Sequence, residues 1–116
     1  MTHIALVEDD ASMRSLLKIF LEMEQFETTI IDEFEAQTII AILQANTPEY
    51  LLMDVHLQGV NGLDLLAVIR EQRELKDIKV LMTSGEDCQD ACFKAGADGF
   101  LLKPYMPSDL LKWLRS

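Results

Sequence analysis

The 116-residue sequence predicts a single α/β domain in which five short buried strands alternate with five helices. Two patterns predict it. Five continuous apolar runs rich in Val, Ile and Leu suit strands covered on both faces, as in a parallel sheet. The segments between them carry apolar residues at helical spacing. Right-handed crossovers then place helices on both faces of an open sheet.

The runs are Ile4 to Val7, Thr28 to Ile31, Tyr50 to Met53, Ile78 to Met82 and Phe100 to Leu102. The first helix shows Met13, Leu16, Leu17, Phe20 and Leu21 on one stripe. The second repeats the pattern with Ala36, Ile39, Ile40 and Leu43, and Pro48 helps to end it. The acids Asp32 and Glu33 after the second run read as the start of that helix rather than as ligands. Gly62, Leu65, Leu66 and Ile69 mark the third helix. The fourth, about Asp87 to Ala95, has a stripe of small residues, Cys88, Ala91, Cys92 and Ala95. It should bury the least apolar area and be the loosest element of the core. Gly96 is a natural stop for it. The last helix, about Pro107 to Arg115, carries Leu110, Leu111 and Leu114. Proline suits its first turn. Met106 is a poor cap, which predicts fraying at that end.

A hydrophobic fraction of 49% supplies a core, and only 5 Gly and 3 Pro argue against disorder. A net charge of -10 repels nucleic acid and anionic lipid, so direct nucleic-acid binding by this chain is not expected. No apolar segment approaches the ~18 residues needed to span a membrane, and no membrane role is expected. Two thiols, Cys88 and Cys92, without a secretion signal fit a reducing cytoplasm. Spaced four apart without a second ligand cluster, they read as small core fillers.

Four of the five apolar runs end in groups that belong together: Glu8-Asp9, Asp54, Thr83 and Lys103. In an open α/β sheet, ligands bind outside the carboxyl ends of the strands, where all four lie. Clustered carboxylates repel one another, and Mg2+ relieves the conflict because it accepts carboxylate, water and phosphate oxygens. A carboxylate can also attack phosphorus. Lys103 offers a point charge to a phosphoryl oxygen, and Thr83 a hydroxyl. Ser84 and Gly85 are small and leave room beside them.

Across essentially all 116 residues the chain resembles the receiver domain of bacterial two-component response regulators, chemotaxis receivers among them. Val7-Glu8-Asp9-Asp10 resembles the acidic pocket, Met53-Asp54 the phosphoacceptor, and Gly59-Val60-Asn61-Gly62 the entry to the third helix. Met82-Thr83-Ser84-Gly85 resembles the switch hydroxyl motif. Lys94-Ala95-Gly96-Ala97-Asp98-Gly99-Phe100 and Leu102-Lys103-Pro104-Tyr105 resemble the fifth strand with its Lys-Pro signature. The resemblance implies a doubly wound, flavodoxin-like sheet of strand order 2-1-3-4-5. It implies that Asp54 takes a phosphoryl group from a phosphohistidine on a histidine kinase or phosphotransfer protein. Asp9 would bind Mg2+ directly, Glu8 directly or through water, and His56 through its backbone carbonyl. Thr83 and Lys103 would hold the phosphoryl oxygens, and Phe100 would be the aromatic switch. The Lys103–Pro104 bond would be cis, a form found in about 5–6% of X–Pro bonds.

The implied output is a movement of the fourth helix, fifth strand and fifth helix that controls a downstream protein or effector domain, with phosphorylation-dependent dimerisation one outcome. Phe93, off the small-residue stripe, and Trp113 are each open to two readings, exposed contact or ordinary packing. Leu57-Gln58 stands where the family usually has Met-Pro. Leu keeps an apolar contact, and the missing proline frees the backbone after Asp54. His56, in that loop, is placed to control access of water to the phosphate. Three other readings remain: a receiver-like binding module that is not phosphorylated, an Mg2+-dependent phosphatase with an aspartyl nucleophile, and a flavin protein. Such phosphatases commonly carry a second acid two residues after the nucleophile, where this chain has His56. No Ser/Thr/Gly-rich phosphate loop for a flavin follows the first strand.

Overall fold

A computed structural model describes residues 1–116. The elements alternate as β1 (His3–Val7), α1 (Ala11–Met23), β2 (Glu27–Ile31), α2 (Ala36–Ala45), β3 (Tyr50–Asp54), α3 (Gly62–Glu71), β4 (Lys79–Ser84), α4 (Gln89–Ala95), β5 (Gly99–Leu102) and α5 (Pro107–Leu114). The five strands form one parallel sheet in the order β2-β1-β3-β4-β5. The predicted architecture and strand order both hold.

Strand alternation divides the core. Ala5, Val7, Leu51, Met53, Val80 and Met82 point to one face, where α2, α3 and α4 supply Ile39, Leu43, Leu66, Ile69 and Cys92. Ile4, Leu6, Leu52 and Leu81 point to the other, where α1 and α5 supply Leu17, Leu21, Leu110 and Leu114. Each fully buried Val, Leu, Ile or Met side chain among these contributes roughly 1.5–3 kcal/mol by leaving water. Only Cys92 of α4 is buried, so this helix is held by little apolar area, as its small stripe predicts.

Several elements depart from the sequence reading. Leu16, on the predicted stripe of α1, is exposed. Ala91 of the α4 stripe is exposed too. α2 starts at Ala36, so Asp32 and Glu33 lie in the preceding segment and do not open the helix. Half-buried Phe34 sits between them and α2 and packs on the core, which holds the chain out of helical geometry there. The loop after Asp54 is not free: His56–Leu57 pairs antiparallel with Val60–Asn61 around Gly59, and Leu57 is buried. The start of α5 is closed despite Met106. The Met106 N–H donates to Asp109 Oδ2 at 3.0 Å, and the Asp109 N–H donates to the Met106 carbonyl at 2.9 Å.

Arg70, near the end of α3, ties four segments together. Its guanidinium donates to the carbonyls of Gly96, Lys76 and Ile78 at 2.7–3.1 Å and to Asp98 Oδ2 at 2.8 Å. Asp98 Oδ2 in turn accepts from the Val80 N–H. The C-terminal end of α4, where Gly96 adopts φ 111°, is thereby pinned to α3 and β4. Arg70→Met keeps the aliphatic stem but strands these acceptors. It is expected to cost about 2 kcal/mol in urea denaturation, and a loss below about 0.5 kcal/mol would show that water replaces the guanidinium at no cost.

Candidate phosphoryl and metal site

The site is assembled by register at the carboxyl edge of the sheet. Val7 lies opposite Met53, so Glu8 leaves β1 beside Asp54. Asp54 lies opposite Thr83, and the Val55 N–H donates to the Thr83 carbonyl at 2.9 Å. Ser84 lies opposite Leu102, and the Lys103 N–H donates to the Ser84 carbonyl at 2.8 Å. Four strand ends far apart in sequence are thus fixed by backbone hydrogen bonds before any side chain acts. The Lys103–Pro104 peptide is cis.

Glu8, Asp54 and Thr83 are buried, whereas Asp9 is exposed. One oxygen from each of Glu8, Asp9 and Asp54 lies within 4.8 Å of the others. Lys103 Nζ donates to Asp54 Oδ2 at 2.6 Å and to Glu8 Oε1 at 3.2 Å, ion pairs spanning 49 and 95 residues. Asp54 Oδ1 accepts from the His56 N–H at 3.1 Å, leaving the imidazole exposed. Glu8 Oε2 accepts from the Asp10 N–H at 3.2 Å. Three carboxylates against one ammonium leave a double negative charge over hard oxygen donors, a set that fits a divalent cation such as Mg2+.

Burial pushes the Glu8 carboxyl above its ordinary value. The Lys103 charge and the Asp10 N–H oppose this only in part, and the Asp54 charge adds to it. Burial works against the Lys103 ammonium, but its hydrogen bond to Asp54 and the charges of Glu8 and Asp54 outweigh it and hold its pKa above the usual lysine value. Burial also takes the Tyr105 phenol up to about 12; Lys103 opposes this, and the charges of Glu8 and Asp54 reinforce it. Tyr105 therefore feels the field of the site, a neighbour that sequence reasoning left without a role.

Two further supports were not anticipated. Asp10 caps α1, its Oδ1 accepting from the Met13 N–H at 3.0 Å, and an Asp placed before an apolar helical period is a signal that could have shown it. Arg14 donates to the Glu8 carbonyl at 2.8 Å and steadies the backbone under the acid pair, for which the sequence carries no signal. Phe100 lies opposite Met82, half-buried against the larger core cluster. Phe93 is exposed. Trp113 packs: its ring meets Tyr50 edge-on at 5.7 Å and lies over Gly99, where a Cβ would come within 2.3 Å of its indole nitrogen.

The family model for the response regulator receiver domain matches residues 4–115, and the chain belongs to that family. It is 34% identical over 117 residues to the DNA-binding response regulator MtrA of Mycolicibacterium paratuberculosis, an alignment covering 98% of this chain and 50% of that protein. The chain thus spans about half the length of this relative. Among solved structures it is similar to the chemotaxis protein CheY4 of Vibrio cholerae, with a TM-score of 0.88 at 24% identity, covering 99% of this chain and 97% of that one. It is also similar to the receiver domain of the sensor histidine kinase PA1611 of Pseudomonas aeruginosa PAO1, solved with a magnesium ion coordinated in its active site cleft. There the TM-score is 0.86 at 20% identity, covering 98% and 94%.

Proposed function

We propose that this domain is a phosphorylation-dependent switch that takes a phosphoryl group from a phosphohistidine onto Asp54. The observation that supports this best is the position of Asp54. It is buried, held on Oδ2 by Lys103, on Oδ1 by the His56 N–H, and set beside Thr83 by sheet register. Glu8, Asp9, Asp54 and the His56 carbonyl would hold Mg2+, which supplies neutralisation of charge on the transferred group. Asp54 attacks phosphorus through a carboxylate oxygen, and the histidine nitrogen leaves with the bonding electrons. Lys103, now between the aspartyl phosphate and Glu8, follows the new charge, and Thr83 donates to a phosphoryl oxygen. Withdrawal of Thr83 towards the site frees space for Phe100 and biases α4, β5 and α5 to a second position. An apolar groove of about 380 Å3 beside Lys103, lined by Met13, Leu17, Pro104 and Tyr105, adjoins the acceptor on the side where a histidine kinase or phosphotransfer protein would bind.

Acetyl phosphate with Mg2+, read by intact mass, is expected to add one phosphoryl group of about 80 Da to the wild type and none to Asp54→Asn. Undiminished labelling of the variant would remove Asp54 from the acceptor role and favour a binding module that is not phosphorylated. Asp9 offers a second check, because it makes no ion pair and lies beside two other carboxylates. Asp9→Asn is expected to raise the thermal midpoint by about 1–3 °C in metal-free buffer and to abolish the rise that millimolar Mg2+ produces in the wild type. A variant that still responds fully to Mg2+ would exclude Asp9 from the metal shell.

A further inference from the structure

The two cysteines are not independent core fillers. Cys88 is the residue that opens α4 and Cys92 lies one turn later, so both project to the same side. Their Sγ atoms are 3.9 Å apart, the Cys92 thiol fully buried and the Cys88 thiol half-buried. We propose that Cys88 and Cys92 form an intrahelical disulfide on two-electron oxidation by a hydroperoxide, and that this bond clips the N-terminal end of α4.

The geometry allows the closure. A disulfide is about 2.05 Å long, so the sulfurs must approach by about 1.9 Å. Cys88 has φ -121° and ψ 34°, outside the helical region, and its side chain makes no cap hydrogen bond. Its Cα–Cβ direction is therefore not that of a helical residue, although its carbonyl accepts from the Cys92 N–H at 3.0 Å, and side-chain rotation with adjustment of the first turn can bring the sulfurs together. Metal chelation is the weaker use of the same thiols. The one group of three ligating side chains in the molecule is Glu8, Asp9 and Asp54, so no third ligand stands beside the sulfur pair.

The order of events follows from exposure. The half-buried Cys88 sulfur attacks the peroxide oxygen; the O–O bond breaks, one alcohol or water leaves, and Cys88 becomes a sulfenic acid. The Cys92 sulfur, as it loses its proton, then attacks the Cys88 sulfur. The S–S bond forms as the S–O bond breaks, and the hydroxyl leaves with the proton as water. Burial and the sulfur contact with Cys88 push the Cys92 thiol up to about 12, so Cys92 does not start the reaction; it serves as the resolving partner.

The consequence lies in where α4 is held. Its C-terminal end is pinned by Arg70 on Gly96, whereas Cys88 has no capping side chain and Cys92 is the sole buried residue of the helix. A cross-link across the first turn adds a covalent restraint to an end held otherwise by the Cys92 N–H to Cys88 carbonyl bond at 3.0 Å and the Gln89 N–H to Asp87 Oδ1 contact at 3.4 Å. This regulatory half rests on the proposed switch; the chemistry does not.

The test treats the intact chain with hydrogen peroxide, then unfolds and alkylates it. The expected result is a mass loss of about 2 Da, neither thiol alkylated, and full recovery with dithiothreitol. Cys88→Ser and Cys92→Ala should each lose that product. Oxygen addition on Cys88 with Cys92 still alkylated, or a disulfide only between molecules, would overturn the proposal. Amide exchange of α4 with and without beryllofluoride reads the second half. The change seen in the reduced chain should be lost in the oxidised chain, and its persistence at full size would refute the clip. A wild type that acetyl phosphate does not label removes the switch reading but leaves the disulfide result standing.

Discussion

Lys103→Met is expected to destabilise the domain by about 2 kcal/mol at pH 7 in metal-free buffer. The substitution keeps the aliphatic stem and removes the one cation that faces Glu8 and Asp54. Breaking a buried pair costs about 3–5 kcal/mol. The Lys103 side chain is 26% exposed, so water recovers part of that. The sign of the pH dependence separates this loss from ordinary packing damage. Burial already holds the Glu8 carboxyl above its ordinary value and Lys103 opposes that rise, so without the ammonium Glu8 titrates higher still in the folded chain, which then binds more protons than the unfolded one. The deficit should therefore shrink as the pH falls from 7 towards 5. In the wild type the contribution of Lys103 is intact throughout that range. Its pKa is raised on folding, so stability is lost only as the pH rises through that alkaline value. Urea denaturation of both proteins at the two pH values makes the comparison; a deficit that deepens at pH 5 would contradict the electrostatic account. Mg2+ should restore part of the lost stability, because it neutralises the same carboxylates.

Gly62→Ala is expected to cost about 3 kcal/mol, against the usual sign of such a change. Within a helix, alanine normally stabilises relative to glycine by roughly 0.5–1 kcal/mol. At Gly62 an added Cβ would lie 2.3 Å from the Asp54 carbonyl oxygen and 2.9 Å from Val55 Cα and from the Val55 carbonyl oxygen. These are backbone atoms of the segment that carries the acceptor. The Gly62 N–H also donates to the Val55 carbonyl at 2.7 Å, so the approach is held from both sides. Overpacking of this kind must move the chain at Asp54 itself. The variant should lose acetyl phosphate labelling along with stability. Gly85→Ala is the control: nothing lies within 4 Å of its added Cβ, and a change within about 0.5 kcal/mol is expected. Equal effects at the two glycines would show that close approach is not the reason for Gly62.

The readable parts of this fold are those where burial is two-sided. β1, β3 and β4 are covered by helices on both faces, so their residues form unbroken apolar runs and declare themselves. Their ends were less legible. Thr83 and Ser84 belong to β4 because their backbones pair with β5, a fact about a neighbour rather than about their own side chains. The hairpin around Gly59 and the short 3-10 turn Arg73–Leu75 went unseen because each is a few residues long and has no period. Leu16 shows the limit of the helical stripe, since a residue at apolar spacing on α1 faces solvent when no second element covers it.

For the site, residue types and order were determined by the sequence alone: acids after the first apolar run, an acid after the third, a hydroxyl after the fourth, a lysine after the fifth. Local pattern suffices there, because each of these groups follows the last apolar residue of its run directly. Tertiary structure decided what those groups are to one another. Only the sheet register sets Asp54 opposite Thr83 and delivers Lys103 across 95 residues to Glu8. Only the close approach of Gly62 to Asp54 makes that glycine indispensable, and only the turn at Cys88 brings its sulfur towards Cys92. Distances between side chains depend on how separate elements pack, and no sequence window contains both partners of a contact made across the sheet.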